Sequence, residues 1–159
     1  MKKRKQANRI ITYAGIGAIA AVVGFMGYLQ VEASRNNEFK KSIDMIAADT
    51  IALTKEYQLE EGKWKNNEYD NSTMIAIVDR YQPRYQELIE RAESLETPDR
   101  YKAAKAFLIK SVESEKESNE HFKNYLLTGD PEEYEKVVDL TSLSLQYGAE
   151  YDAAMNAAG

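Results

Sequence analysis

Apolar residues recur along this chain at alternating steps of four and three, and that spacing restricts the fold more than any other feature. Phe39, Ile43, Ile46, Thr50, Leu53 and Tyr57 fall on it, as do Met74, Val78, Tyr81, Tyr85, Leu88, Ala92 and Leu95. Residues three and four apart share one face of an α-helix, so each run describes a helix with a single apolar stripe, the stripe of a bundle helix or a coiled-coil seam. The second run passes through Pro83 without losing register, which predicts one kinked helix in preference to two short ones. A third helix is opened by Thr97-Pro98-Asp99, an N-cap, a first-position proline and an early acid. It carries Tyr101, Ala104, Phe107, Leu108 and Val112, then Phe122, Tyr125 and Leu126. A fourth carries Tyr134, Val137, Val138, Leu140, Leu143, Leu145, Tyr147, Tyr151 and Met155.

The joints between these runs are legible in part. Glu60 to Asn71, EEGKWKNNEYDN, interrupts the pattern with Gly62 and a polar run and predicts a long connection, with Asn71 or Ser72 capping the next helix. At YLLTGDPEEYEK, Tyr125 to Lys136, Gly129 can take the left-handed conformation that ends a helix. Asp130 can cap a new one, Pro131 suits its first position and Glu133 sits where a capping-box acid reaches back. So short a gap forces antiparallel neighbours. The expected domain is all-α, an up-down-up-down four-helix bundle over residues 32–159, with the Trp64 connection and the Gly129-Asp130 corner at one tip and Pro98 and the C-terminus at the other.

Ahead of the bundle lie a basic tail, residues 1–9, and an apolar segment, residues 10–31. From Ile10 to Val31 the chain is uncharged for 22 residues, about 33 Å as a helix and enough to span a bilayer. Tyr13 and Tyr28 sit near its ends, where amphipathic rings favour the interface. Lys2, Lys3, Arg4, Lys5 and Arg9 precede it, which predicts a single-pass membrane protein with a cytoplasmic N-terminus and an extracytoplasmic bundle. The alternative is a signal removed near Ala33 and a secreted domain, but the apolar stretch exceeds the usual signal core of about 7–15 residues. Gly17, Ala20, Gly24 and Gly27 line one face of this helix with small side chains, a stripe along which another membrane protein or a second copy could pack; glycine is also simply common in membrane helices.

Charge and residue types narrow the chemistry. Five of the 21 basic residues lie in the first nine positions, so the 16 that remain face all 26 acids, a net −10. That balance argues against nucleic acid, whose phosphates need a basic face. Cysteine is absent, which removes disulfides, thiolate ligands and a cysteine nucleophile. His121 is the sole histidine and has Glu117 four residues before it, an exposed helix pair and not the two Glu-x-x-His repeats of a di-metal bundle. There is no glycine-rich phosphate loop and no nucleophile elbow, so neither an enzyme nor a cofactor is expected.

Two places are candidates for contact with a ligand or partner. Trp64 and Tyr69 fall in the expected connection, where large aromatics either pack over the bundle end or meet a partner. Ser114, Ser118 and Asn119 belong to the polar centre of the third helix, ESEKESNEH from Glu113 to His121. With Glu115 they either face the core or stay solvated while the helix ends pack, and the cost of burying an unpaired carboxylate favours the solvated arrangement.

The dozen residues from Tyr125 to Lys136, with a membrane helix ahead of a bundle, resemble the helical-hairpin signature of extracytoplasmic four-helix-bundle sensor domains of bacterial and archaeal chemoreceptors and sensor kinases. The resemblance implies a domain that binds small ligands or partner proteins, usually as a dimer, and signals through a second membrane helix. Here the signature lies late in the domain and neither a second membrane helix nor an output module follows it. The expected function is therefore a non-catalytic binding or scaffold component, an accessory subunit of a membrane complex. The alternative is an extracytoplasmic small-ligand sensor or solute-binding module.

Overall fold

The structure, a computed structural model, describes the backbone of residues 2–159 and the side chains of residues 30–159. It contains four α-helices, α1 (Lys2–Lys65), α2 (Asn71–Ser94), α3 (Lys102–Thr128) and α4 (Pro131–Ala158), with one turn of 3₁₀ helix at Asp99–Tyr101. Two compact units divide the chain, Met1–Glu38 and Phe39–Gly159. The first is the N-terminal part of α1. The expected membrane span 10–31 and its stripe Gly17, Ala20, Gly24 and Gly27 fall, apart from Gln30 and Val31, outside the residues whose side chains are described. Among the described residues no helix is long and apolar enough to cross a membrane.

The second unit is the up-down-up-down bundle. Asp49 and Glu56 on α1 pair with Arg91 and Arg84 on α2, each at 2.8 Å. Asp79 on α2 meets Lys123 on α3 at 2.7 Å, and Tyr85 donates to Glu115 at 3.0 Å. Ser111 and His121 on α3 meet Ser144 and Glu133 on α4, and Tyr151 on α4 returns to Asp44 on α1 at 3.3 Å. In the first three pairs the numbers rise along one helix as they fall along the next, so each helix is antiparallel to the one before it and α4 runs opposite to α1. All six apolar-register positions of α1 from Phe39 to Tyr57 are buried, as are Met74, Val78, Tyr81, Tyr85, Leu88 and Ala92 of α2.

The joints depart from expectation where side chains found better partners. α1 does not stop near Gly62 but runs on to Lys65, leaving only residues 66–70 as the connection. Trp64 explains the extension: its ring packs edge-on against Phe122 at 5.1 Å, and its Nε1 donates to Asn71 Oδ1 at 2.9 Å. Asn71, whose amide also donates to the Leu126 carbonyl at 3.2 Å, is thereby taken up in tying three helices together. Asp70 caps α2 in its place, accepting from the Thr73 N–H at 2.8 Å. Gly62 is then an ordinary helix-interior glycine, and a Cβ built there meets nothing within 4 Å. Gly62→Ala is expected to stabilise the bundle by about 0.5–1 kcal/mol, read as a higher midpoint in chemical denaturation, because it restricts only the unfolded chain.

α2 is one helix through Pro83, whose ring lies on the exposed face, so the carbonyl it leaves without an N–H partner can reach water. Thr97 does not cap α3. Its hydroxyl donates back to the Leu95 carbonyl at 2.9 Å, and the 3₁₀ turn intervenes before the α-helix begins. Lys105 closes the end of α2 from across the gap, donating to the Glu93 and Leu95 carbonyls at 2.7 and 2.8 Å.

The Gly129 corner forms as its residues dictate. Gly129 has φ 71° and donates to the Tyr125 carbonyl at 2.8 Å, and Asp130 accepts from the Glu132 N–H at 3.0 Å with Pro131 following. Glu133 is the exception. It does not reach back as a capping-box acid but binds Lys136 at 2.6 Å and His121 Nδ1 at 2.7 Å, contacts that hold its carboxyl down at about 2. His121 is therefore paired with the next helix and not with Glu117.

α4 shows the largest departure. Its apolar residues surround it, so their spacing cannot choose a face. Tyr151 and Met155 are buried as expected, but Tyr134, Val138 and Leu145 are exposed, and Ser144 is buried in their stead. The α3–α4 seam is made of small hydroxyls. Ser111 and Ser144 each donate to the other's carbonyl at 2.9 Å, and Ser118 donates to the Val137 carbonyl at 3.1 Å and lies 3.0 Å from the Thr141 hydroxyl. A Cβ on Gly148 would stand 3.8 Å from Ser111 Oγ. Val137, Thr141, Ser144 and Gly148 keep the four-three spacing, but with side chains small enough to let two helices approach closely.

A candidate ligand cleft between α1 and α4

Because α4 is drawn onto α3 by this seam, a cleft opens between its N-terminal half and α1. Its outer part, about 290 Å³, is lined by Tyr57, Glu61 and Lys65 of α1, Ser118, Asn119 and Phe122 of α3, and Tyr134, Val137, Val138, Thr141 and Ser142 of α4. A smaller adjoining part of about 100 Å³ shares Tyr57, Glu61, Ser118, Asn119 and Thr141 with it and adds Thr54, Gln58, Glu115, Ser144 and Leu145. The floor is thus the polar centre of α3.

That centre is not solvated. Ser114, Ser118 and Asn119 are 6%, 3% and 6% exposed, which corrects the expectation that water would cover it. The penalty that favoured the solvated arrangement is met by hydrogen bonds across the seam and by a donor to Glu115. Its carboxyl takes the Tyr85 hydroxyl at 3.0 Å, and burial pushes its pKa up against the opposing pull of Thr54 and Tyr85. Burial and the acids nearby likewise push the Tyr57 and Tyr85 hydroxyls well above the ordinary tyrosine range, so both remain protonated donors.

Two polar atoms of residues that line the cleft lie beneath its surface. Tyr57 Oη and Asn119 Nδ2 are fully shielded from solvent and make no hydrogen bond of ordinary geometry, although the Asn119 side chain acts on the Tyr85 hydroxyl. Each belongs to a side chain more than nine-tenths buried. A buried donor without an acceptor costs about 1–3 kcal/mol. At the rim Lys65 is half-exposed and held by Glu61 at 2.8 Å.

Of the residues singled out in the sequence, the cleft brings Ser118 and Asn119 together. Ser114 is buried on the same helix but does not line it. Trp64 and Tyr69 lie at the bundle end: Trp64 backs Phe122 from outside the cleft, while Tyr69 stacks beneath Lys63 and shares a hydrogen bond with it at 3.3 Å. Both pack against the core cluster. Tyr57 was legible only as a core residue, because nothing in its spacing distinguishes a satisfied hydroxyl from an orphaned one. Thr141 carried a signal, its place in the four-three run of small residues on α4.

Two broader grooves, one along Gln82, Gln86 and Glu117 and one along Glu56, Leu59 and Tyr81, are shallow and carry none of the unpaired buried atoms found among the described residues. No group of three or more histidines or acids among the described residues could hold a metal ion.

Glu115 makes the stability of this bundle depend on pH. Its raised pKa means that the folded chain keeps a proton the unfolded chain releases near 4.5, so its favourable contribution is complete below that value and lost as pH rises through the folded pKa. Glu115→Gln removes the dependence. Its Tm is expected to exceed that of the native chain by a few degrees at neutral pH, with the margin shrinking as the buffer is taken below about pH 4; an equal margin across that range would contradict the assignment.

No protein-family model matches the chain, and neither a curated protein nor a solved structure matches it.

Proposed function

We propose that this is a single-pass membrane-anchored helical-bundle protein whose role is binding, not catalysis, and that its bundle receives a small molecule between α1 and α4. The observation that carries this reading is the cleft between α1 and α4, whose lining joins the polar Ser118, Asn119 and Thr141 to the apolar Phe122, Val137 and Val138. The uncharged run from Ile10 to Val31 behind a basic tail supports the anchor, with the N-terminus cytoplasmic and the bundle extracytoplasmic. The likeness of Tyr125 to Lys136 to sensor-domain hairpins agrees with small-ligand recognition.

A second reading, an accessory subunit held in a larger membrane complex, is favoured by the small-residue stripe Gly17, Ala20, Gly24 and Gly27 and by Leu59, Val138 and Leu145, which are 69%, 52% and 72% exposed on the bundle. Native mass spectrometry of the full chain extracted gently from its membrane separates the two. A small molecule carried by the folded chain and released on unfolding is the expected result. Stoichiometric company from a larger membrane protein, with no small molecule, would replace ligand binding by the subunit role. Protease added to intact cells should remove the bundle; its survival would overturn the topology, and a mature N-terminus at Ser34 would make the protein secreted.

A further inference from the structure

A bundle helix needs one apolar stripe, and α1 and α4 each carry a second run in the same spacing on the side that faces water. On α1 it is Lys41, Met45, Ala48, Ala52, Lys55 and Leu59, all exposed. On α4 it is Glu135, Val138, Ser142, Leu145, Ala149 and Asp152, again all exposed. Met45, Leu59, Val138 and Leu145 are large apolar side chains more than half open to solvent. They stand where a helix–helix seam would put them, and so differ from apolar residues scattered singly over a surface.

Charge identifies what covers these runs. Both charged members of the α1 run are lysines; both of the α4 run are acids, and Asp139 adjoins them. Among the described residues Lys41, Lys55, Glu135, Asp139 and Asp152 have no ion-pair partner. Nearby charges that could have neutralised them are engaged within the chain: Asp44 by Lys40 and Tyr151, Asp49 by Arg91, Glu56 by Arg84, and Lys136 by Glu133. One helix thus offers unpaired positive charge on an apolar run and the other offers unpaired negative charge on an equal one. A surface complementary to itself fits a second copy of the same chain.

The register agrees. Asp44 of α1 stands opposite Tyr151 of the antiparallel α4. Counting up one helix and down the other from that pair sets Lys41 level with Asp152, Met45 with Ala149, Ala48 with Leu145, Ala52 with Ser142 and Lys55 with Asp139, each to within about two residues or 3 Å. Two copies anchored side by side in one membrane share direction and height, so the same levels hold between copies. Of the reading above, the inference uses only this. Lysine then meets acid at both charged levels, and Met45 and Leu145 each meet an alanine.

We propose that the bundle forms a symmetric dimer in which α1 of each copy packs antiparallel on α4 of the other, Lys41 pairing with Asp152 and Lys55 with Asp139 across the interface. Every contact occurs twice, as an isologous two-fold requires.

Charge reversal in trans tests this on the full chain in detergent, with mass read by sedimentation. The double variant Lys41→Glu, Lys55→Glu sets acid against acid, and the double variant Asp139→Lys, Asp152→Lys sets lysine against lysine. Each alone is expected to dimerise at least about tenfold more weakly than the native chain. An equimolar mixture is expected to recover native-like association as a heterodimer, because both of its contacts again join opposite charges. Changes within a single chain cannot produce that recovery, since mixing alters nothing inside either copy. The chain has no cysteine, so Ala48→Cys added to one variant and Leu145→Cys to the other report the register. A short thiol cross-linker is expected to join them in the mixture.

A native chain that stays monomeric overturns the proposal. Dimers undiminished in both charge variants would move association to another surface, the apolar segment ahead of the bundle included, and overturn it equally. Weak association that mixing fails to restore overturns the pairing of α1 with α4. Recovery without the cross-link overturns the antiparallel register. None of these results touches the ligand reading, which the native mass spectrum decides by itself, and protease protection of the bundle would remove the anchor while leaving the mixing result intact.

Discussion

Phe122→Ala is expected to lower the unfolding free energy by about 3–5 kcal/mol, a large part of the 5–15 kcal/mol typical of a domain. The ring is 2% exposed and stands at the junction of three structures: Trp64 of α1 packs on it edge-on at 5.1 Å, α3 carries it, and its face walls the cleft toward α4. Truncation therefore removes the transfer energy of the ring and opens a void that merges with the cleft, where the surrounding helices cannot collapse without moving the corner at Gly129. Trp64 is the only tryptophan, so its fluorescence reports the change directly. Both a lower denaturation midpoint and a red-shifted native emission are expected. Phe122→Leu keeps most of the bulk and should cost roughly 1–2 kcal/mol. Equal losses in the two variants would show that the ring is not the organising contact at this end of the bundle.

Tyr85→Ala is expected to cost about as much, roughly 3–5 kcal/mol, for two separable reasons. Tyr85 is among the largest fully buried side chains, at 0% exposure, and its hydroxyl is the donor that holds Glu115 at 3.0 Å. Tyr85→Phe isolates the second reason by keeping the ring. It leaves the half-buried carboxyl with one donor fewer and should cost about 1–2 kcal/mol. Because the two groups interact directly, the effects of Tyr85→Phe and Glu115→Gln on the unfolding free energy should fail to add by a measurable fraction of a kcal/mol or more, whereas additive effects would mean that the hydrogen bond contributes nothing. Equilibrium denaturation of the two single variants and the double variant at pH 7 completes the cycle.

The helices themselves were legible because burial and periodicity coincide in them. Every register position of α1 from Phe39 to Tyr57 is buried, and α2 keeps its stripe through Pro83. In such helices the apolar face is also the only face that can enter the core, so the pattern and the packing cannot disagree. The Gly129-Asp130-Pro131 corner was equally legible, since left-handed backbone, a capping acid and a first-turn proline each have one place to go. Where polar side chains had a choice of partner, local rules failed. Asn71 could have capped α2 but is engaged by Trp64 and Leu126, and Glu133 could have closed its own helix but reaches His121. Both alternatives were available locally, and long-range contacts decided between them.

The candidate site was legible only in its residue types. The polar centre of α3 was visible as a break in an apolar pattern, and the cost of burying a carboxylate favoured leaving it in water. What reversed that was α4: it seats Ser144, Thr141 and Val137 on α3 and leaves Val138 and Leu145 outside, a choice its all-round apolarity could not announce.

By itself the sequence determined a chain of helices, their antiparallel order, an acidic bundle and an uncharged segment ahead of it, because these follow from spacing, chain length and charge that every residue carries with it. Only the tertiary structure decided which face of α4 meets α3, and with it that Tyr57 and Asn119 end buried, each with a polar atom short of a well-formed hydrogen bond. A hydrogen bond that is missing is a property of everything that could have made it, so it exists nowhere in the sequence until the helices are packed.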